Sequence, residues 1–231
     1  TQSRSSAASD VYKRQVFLPN YNVSNAQIII PASDISQHIS TAGTEASGTS
    51  NMKFVMNGGL ILGTLDGANV EIREECGSDT MFIFGALEHE VDQIRDRARQ
   101  GNYPIDNRLH DVFNFIRTGG LMLGDGKAQG EFCDIVDRIC SNGDGHVGDF
   151  YLLCHDFPLY CDAQIRVDQA YLDQTNWTKT CIKAASSMGK FSTDRTIEEY
   201  ANSIWGLEQC ERPAPETYKK LSAYSQPGQK K

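Results

Sequence analysis

The stretch EASGTSNMKFVMNGGLILGTLDGANVEI, Glu45 to Ile72, decides how this chain is read. Its middle, LILGT (Leu60–Thr64), is a compact apolar run bounded by glycines. It is too short for a helix and has the length of a buried strand. Ahead of it Ser47, Gly48, Thr49 and Ser50 are small, bend-tolerant residues that lead into a short helix expected to start near Asn51. After it, DGANVEI reads as a turn and a strand end.

The helix start carries the chemistry. Helix N-termini offer N–H groups and a partial positive charge, which favour a phosphate. Gly48 lets the backbone approach a ligand closely. Lys53 falls in the first turn, where the helix dipole slightly disfavours a cation. Phe54, Val55 and Met56 are expected to press that turn into the core, and a lysine half-sunk among them can lose its proton and act as an amine. An amine beside a phosphate-binding helix end is what a pyridoxal phosphate site requires. Taken alone, these residues fit an ordinary snorkelling lysine better.

Outward from this stretch, VFLP (Val16–Pro19) and MFIFG (Met81–Gly85) read as further short strands. SNAQIIIPASDISQHIS carries Ala26, Ile29, Ile30, Ile35 and Ile39 at helical spacing, with a break at Pro31. Helices are expected over 88–100, over 107–118 with Val112, Phe115 and Ile116 on one face, through EFCDIVDRIC, and from about 155 onward. Glycine-rich loops are expected over 119–131 and 141–149. The last helix sets Ile197, Tyr200, Ala201, Ile204 and Trp205 on one stripe, with Thr196 and Glu199 as a capping box. Short buried strands alternating with helices give an α/β class with a parallel sheet. About three strands make a small sheet for that class, a hint that the chain is a piece of something larger. The expected division is a foreign or disordered leader over 1–15, a partial α/β domain over 16–165, and a helical segment over 166–231 with a frayed tail.

Composition bounds the function. The chain has 231 residues, 39% apolar and 23% charged, with net charge −8. Its mean hydropathy is −0.43 and its pI about 5.1. This balance permits a core and argues against nucleic acid or an anionic membrane as main partner. No apolar run approaches the roughly 20 residues of a membrane-spanning helix. Seven scattered cysteines without a C-x-x-C fit free thiols in a reducing compartment. GDGKAQG (124–130) lacks dinucleotide glycine spacing, His89–Glu90 is followed by Gln93 rather than by the second histidine of a zinc motif, and NGDGHVGD lacks the acid that closes a calcium loop. No metal is expected.

EASGTSNMKFVMN (Glu45–Asn57) resembles the pyridoxal phosphate segment of the α-glucan phosphorylases, the glycogen and starch phosphorylases. ISTAGTEASG, GTLDGANVEI and GKFSTDRTIEEYANSIW resemble the same family, and the similarity runs from Val16 to about Leu207. Ser50 and Asn22, where animal glycogen enzymes carry Gly and Arg, look more like the plant and bacterial branch.

The resemblance implies a partial, Rossmann-like C-terminal half of the B-type glycosyltransferase (GT-B) fold, with a helical C-terminal extension. It implies a glycosyltransferase that reversibly phosphorolyses terminal α-1,4-glucan links to α-glucose 1-phosphate. Lys53 would hold pyridoxal phosphate as an imine. Thr49 and Ser50 would receive the cofactor phosphate on backbone N–H groups, and Tyr21 and Asn51 would flank it. Glu45, Ser47 and Gly48 would contact the glucosyl hydroxyls. Lys53 and Thr49 are thus the implied catalytic pair. Asn22 leaves the cofactor phosphate without a cation that animal relatives supply.

The implied partners are α-1,4-glucan, inorganic phosphate and glucose 1-phosphate. The parent is expected to be a cytoplasmic homodimer, or plastidial if its source is photosynthetic. YKRQ (12–15) resembles a phosphate-binding family tetrapeptide but abuts VFLPNY, where the family has an intervening segment. Lys13 is therefore given no role. A truncated, non-catalytic cofactor- or glucan-binding module is the alternative, and either way this chain alone is expected to be inactive.

Overall fold

The computed structural model of the chain describes residues 16–100, 104–121, 126–140 and 148–208. The expected leader (1–15), most of the second glycine-rich loop and the tail after Pro213 lie outside the described residues.

Among the described residues three parallel strands form the sheet, in the order β1 (Ile35–His38), β2 (Leu60–Gly63), β3 (Met81–Ile83). Ile35 pairs with Leu60, and Ile61 with Met81. The run LILGT is the central strand, as its composition requires. Leu60, Ile61 and Leu62 are at most 1% exposed, because a parallel strand covered on both faces needs apolar side chains on both. The strand ends at Gly63, where an added Cβ would lie 2.6 Å from the His38 carbonyl oxygen.

Helices make the crossovers. Helix α1 (Val23–Ile29) precedes β1. Helix α2 (Ser50–Met56) joins β1 to β2 and α3 (Ala68–Cys76) joins β2 to β3. A 3-10 turn (Glu88–Glu90) and α4 (Val91–Arg99) follow, then α5 (Asn107–Arg117), α6 (Gly126–Cys140), α7 (Leu153–Leu172) and α8 (Gln174–Ser186). Helix α2 packs on β1, β2, α3 and α8, while α7 packs on β2, β3 and α8. Phe82 of β3 stacks on Trp177 of α8 at 6.0 Å between ring centroids.

Several expectations are corrected. VFLP forms no strand: it is irregular, with Phe17 88% exposed and no ladder partner among the described residues. Helical spacing does not carry through Pro31. Asn22 caps α1 by accepting from the Asn25 N–H at 3.2 Å, the helix stops at Ile29, and Ile35 belongs to β1. DGANVEI is the start of α3, not a strand end. Helix α6 begins at Gly126, inside the span assigned to a loop. On α5 the core face is Leu109 and Phe113, whereas Val112 and Phe115 are exposed.

The described residues up to Met188 form one compact unit and those from Gly189 a second. In the second unit α9 (Thr193–Tyr200) has Ser192 at its N-cap position, without a side-chain cap bond, and runs into a π-turn over Ala201–Trp205. Thr196 is therefore inside the helix, where its hydroxyl donates to the Ser192 carbonyl, and forms no capping box. The π-turn interrupts the spacing expected for a single α-helical stripe, and Ile197, Tyr200, Ile204 and Trp205 are all exposed.

Candidate active site

Beyond the carboxyl ends of β1 and β2 the chain encloses a cavity of about 80 Å³. This is where open α/β sheets hold ligands, because loops and helix starts converge there. Glu45, Gly48, Ser50 and Asn51 line it from the loop after β1 and the start of α2. His38 lines it from β1, and Asp66 and Asn69 from the turn that leads into α3. The structure thus brings four of the sequence-chosen residues together.

The loop that carries them is held by hydrogen bonds from the next turn. Thr64 Oγ1 donates to the Ser40 carbonyl at 2.6 Å. The Asp66 carboxylate accepts the Thr44 and Glu45 N–H groups at 3.2 and 2.8 Å. Ser40 Oγ donates to Glu45 Oε2 at 3.2 Å, which leaves the second carboxylate oxygen of Glu45 for another donor. Gly48 adopts φ +84°, a conformation that side chains strain to reach, and its missing Cβ faces the Asn51 amide.

At the start of α2, Thr49 is the N-cap and makes no side-chain cap bond. The Met52 N–H goes to Asn51 Oδ1 at 2.9 Å and the Lys53 N–H to the Thr49 carbonyl at 3.4 Å. Asn51 is 3% exposed, and its amide nitrogen donates to Asn69 Oδ1 at 3.0 Å. Lys53 is exposed, not half-sunk as its apolar neighbours suggest. Of those neighbours only Val55 is buried, and Met56 is 41% exposed. On a helix, consecutive residues point to different sides, so an apolar run of three cannot all face the core. Ser47, Thr49, Lys53 and Tyr21 do not line the cavity, and Tyr21 is 59% exposed just ahead of α1.

His38, Asp66 and Asn69 are not singled out by the sequence. Reading DGANVEI as a strand end hides the last two, although Asp-Gly signals a turn that can present polar side chains. The His38 ring takes a 3.0 Å hydrogen bond with Ser36 Oγ and lies edge-on to Phe54. Burial pushes its imidazole below the ordinary histidine range, and the Glu45 carboxylate pulls it partly back. Past Ser40 opens a larger groove of about 770 Å³, walled by aromatic residues that include Phe84, Phe150, Tyr151, Phe157 and Tyr160. It contains none of the sequence-chosen residues.

A family model for the carbohydrate phosphorylases matches residues 7–207. The chain belongs to the carbohydrate phosphorylase family.

It is 50% identical over 202 residues to the α-glucan phosphorylase H isozyme of Solanum tuberosum, covering 87% of this chain and 23% of that protein. Against glycogen phosphorylase 2 of Dictyostelium discoideum it is 52% identical over 200 residues, 87% of the chain and 19% of the relative. Against the chloroplastic/amyloplastic α-1,4 glucan phosphorylase L-2 isozyme of Solanum tuberosum it is 49% identical over 198 residues, 86% of the chain and 20% of the relative. This phosphorylase chain therefore spans about a fifth to a quarter of the length of these relatives.

Proposed function

We propose that this chain forms one wall of the active site of an α-glucan phosphorylase. The parent enzyme would transfer a terminal α-1,4-linked glucosyl unit reversibly to inorganic phosphate, giving α-glucose 1-phosphate. The observation that carries this reading is the convergence of Glu45, Gly48, Ser50 and Asn51 on one cavity at the carboxyl edge of the sheet, within one helical turn of Lys53.

The residues present fit pyridoxal phosphate as cofactor. The Lys53 amine is exposed and has no ion-pair or hydrogen-bond partner among the described residues. The N-cap of α2 makes no side-chain bond, so the Ser50 and Asn51 N–H groups remain for an acceptor such as a phosphate oxygen. Lys53 would hold the cofactor, with Thr49, Ser50, Asn51 and Tyr21 around its phosphate. Bound there, it would supply a phosphate group that passes a proton to and from the substrate phosphate.

Glu45 would orient a glucosyl hydroxyl with the carboxylate oxygen that Ser40 leaves open, and Ser47 and Gly48 would offer main-chain contacts to the same sugar. Binding the sugar in one orientation is the chain's own contribution to rate, since positioned groups lower the barrier through entropy already spent. The cavity of about 80 Å³ is well below the roughly 300–1,000 Å³ of small-molecule sites. The remaining walls belong, on this reading, to other parts of a GT-B parent that assembles as a homodimer in the cytosol or a plastid.

Borohydride reduction of the pyridoxal phosphate-loaded, full-length parent, with peptide mapping of the product, tests the assignment. The adduct is expected on Lys53. Label on another lysine, with Lys53 unmodified, overturns it.

A further inference from the structure

The turn Thr64–Asn69 reaches the loop before α2 through two different side chains. Asp66, 9% exposed, ends on the Thr44 and Glu45 N–H groups. Asn69, 3% exposed, ends on the Asn51 amide, while its own nitrogen is fixed by the Thr64 carbonyl at 2.9 Å. Between them the chain backbones touch: the Ala68 N–H donates to the Ser47 carbonyl. A Cβ on Gly67 would lie 2.5 Å from that carbonyl oxygen and 2.8 Å from Glu45 Cγ. The two arms therefore act on different neighbours, one on the residue that would hold the sugar and one on the helix start that would hold the cofactor.

We propose that this turn is a positioning device with two separable arms, Asp66 setting Glu45 for the glucosyl unit and Asn69 setting Asn51 for the cofactor. The inference rests on the function proposed above. Buried polar groups satisfy one another in any fold, and that alone would make the two side chains interchangeable in effect. Their geometry does not. Both oxygen-to-nitrogen contacts of Asp66 are to the main chain at Thr44 and Glu45. Without that acceptor, two N–H groups lose their partner and the Glu45 backbone loses its fixed place. Loss of the Asn69 amide instead leaves the buried Asn51 side chain to reorient under the first turn of α2. Asp66 and Asn69 are positioning residues here, acting through Glu45 and Asn51.

The test uses the full-length parent as purified with its pyridoxal phosphate. Asp66→Ala, Asp66→Asn and Asn69→Ala are compared with wild type, and with Asp79→Ala, which removes a surface ion pair to Lys183 away from the cavity. Three quantities are read: cofactor retained per subunit after dialysis, the KM for glucose 1-phosphate with a glucan primer, and the melting temperature. Asp66→Ala is expected to keep its cofactor and raise KM roughly tenfold to a hundredfold, the span of one charge-assisted hydrogen bond. Asp66→Asn keeps an oxygen that accepts both N–H groups and is expected to recover most of that loss. Asn69→Ala is expected to weaken cofactor retention about tenfold, with KM of the loaded fraction within a few-fold of wild type.

If cofactor loss and KM rise together in both alanine variants, in step with their melting temperatures, the two-arm inference is overturned and the turn is merely structural. A wild-type parent that holds no pyridoxal phosphate and forms no glucose 1-phosphate overturns the functional reading itself, and this inference with it.

Discussion

The carboxylate of Asp156 accepts the main-chain N–H of Ala86 at 2.9 Å, joining residues that lie 70 positions apart. Asp156 sits in the first turn of α7 and Ala86 just past β3, so one hydrogen bond pins the long helix to the sheet edge. The same oxygen is 2.9 Å from His155 Nδ1. Removing the acceptor leaves a buried N–H unpaired. Asp156→Ala should cost about 1–3 kcal/mol of stability, and Asp156→Asn less, since an amide oxygen still accepts. Urea unfolding at constant slope measures this. An Asp156→Ala midpoint equal to wild type would show that the contact contributes nothing.

His38 should make stability depend on pH. Its folded-state pKa lies below the ordinary value because of burial, so near and below about 6.5 the unfolded chain binds the proton more readily. Stability should then be full above that range and fall as pH drops through it. His38→Gln removes the titration and should flatten the fall between about pH 7 and 5.5. Glu45→Gln should steepen it, since the Glu45 carboxylate partly restores the imidazole's proton affinity. Melting temperatures across that range decide the matter; parallel curves for wild type and His38→Gln would count against it.

Ser50 contributes a main-chain N–H in the proposed site, so its hydroxyl should matter little. In the parent enzyme Ser50→Ala and Ser50→Gly should stay within a few-fold of wild-type kcat/KM. A loss near a hundredfold, about 2.7 kcal/mol, would give the hydroxyl a role of its own.

The chain by itself should not phosphorolyse starch. Its cavity of about 80 Å³ has room for about two or three waters, not for a sugar between closed walls. Glucose 1-phosphate release from soluble starch with phosphate and added pyridoxal phosphate is expected to equal that of a Lys53→Ala blank. Turnover above the blank from a monodisperse sample would show that this wall suffices.

The elements legible in the sequence are those whose signal is local. LILGT and MFIFG contain β2 and β3 because a short apolar run that stops at a glycine has few other places to go. Leu109 and Phe113 do not stand out as the α5 core face because Val112, Phe115 and Ile116 offer a second stripe of similar spacing, and packing against Val136 of α6 and Cys154 of α7 decides between them. Ile35 looks helical because Ile39 follows it four residues on, as Ile30 follows Ala26. Pro31 and the turn after it break that period, and the segment beyond them is a strand fixed by the pairing of Ile35 with Leu60.

The cavity is legible in only part of its lining, and not in its arrangement. Glu45, Gly48, Ser50 and Asn51 do meet in one cavity. That Asn51 faces inward to Asn69 rather than outward, and that Lys53 is exposed, come from how α2 rolls against β1, β2 and α8. No spacing within EASGTSNMK encodes that roll. His38 comes from the end of β1, and the parallel pairing of β1 with β2 brings Asp66 beside it and Glu45.

The spatial order of the strands matches their order along the chain, and this bears on how the molecule is made. Among the described strands β2 can dock on β1 and β3 on β2, each on a strand already synthesised. The sheet can therefore grow vectorially as the chain leaves the ribosome, each crossover helix closing a loop of modest length before the next strand arrives.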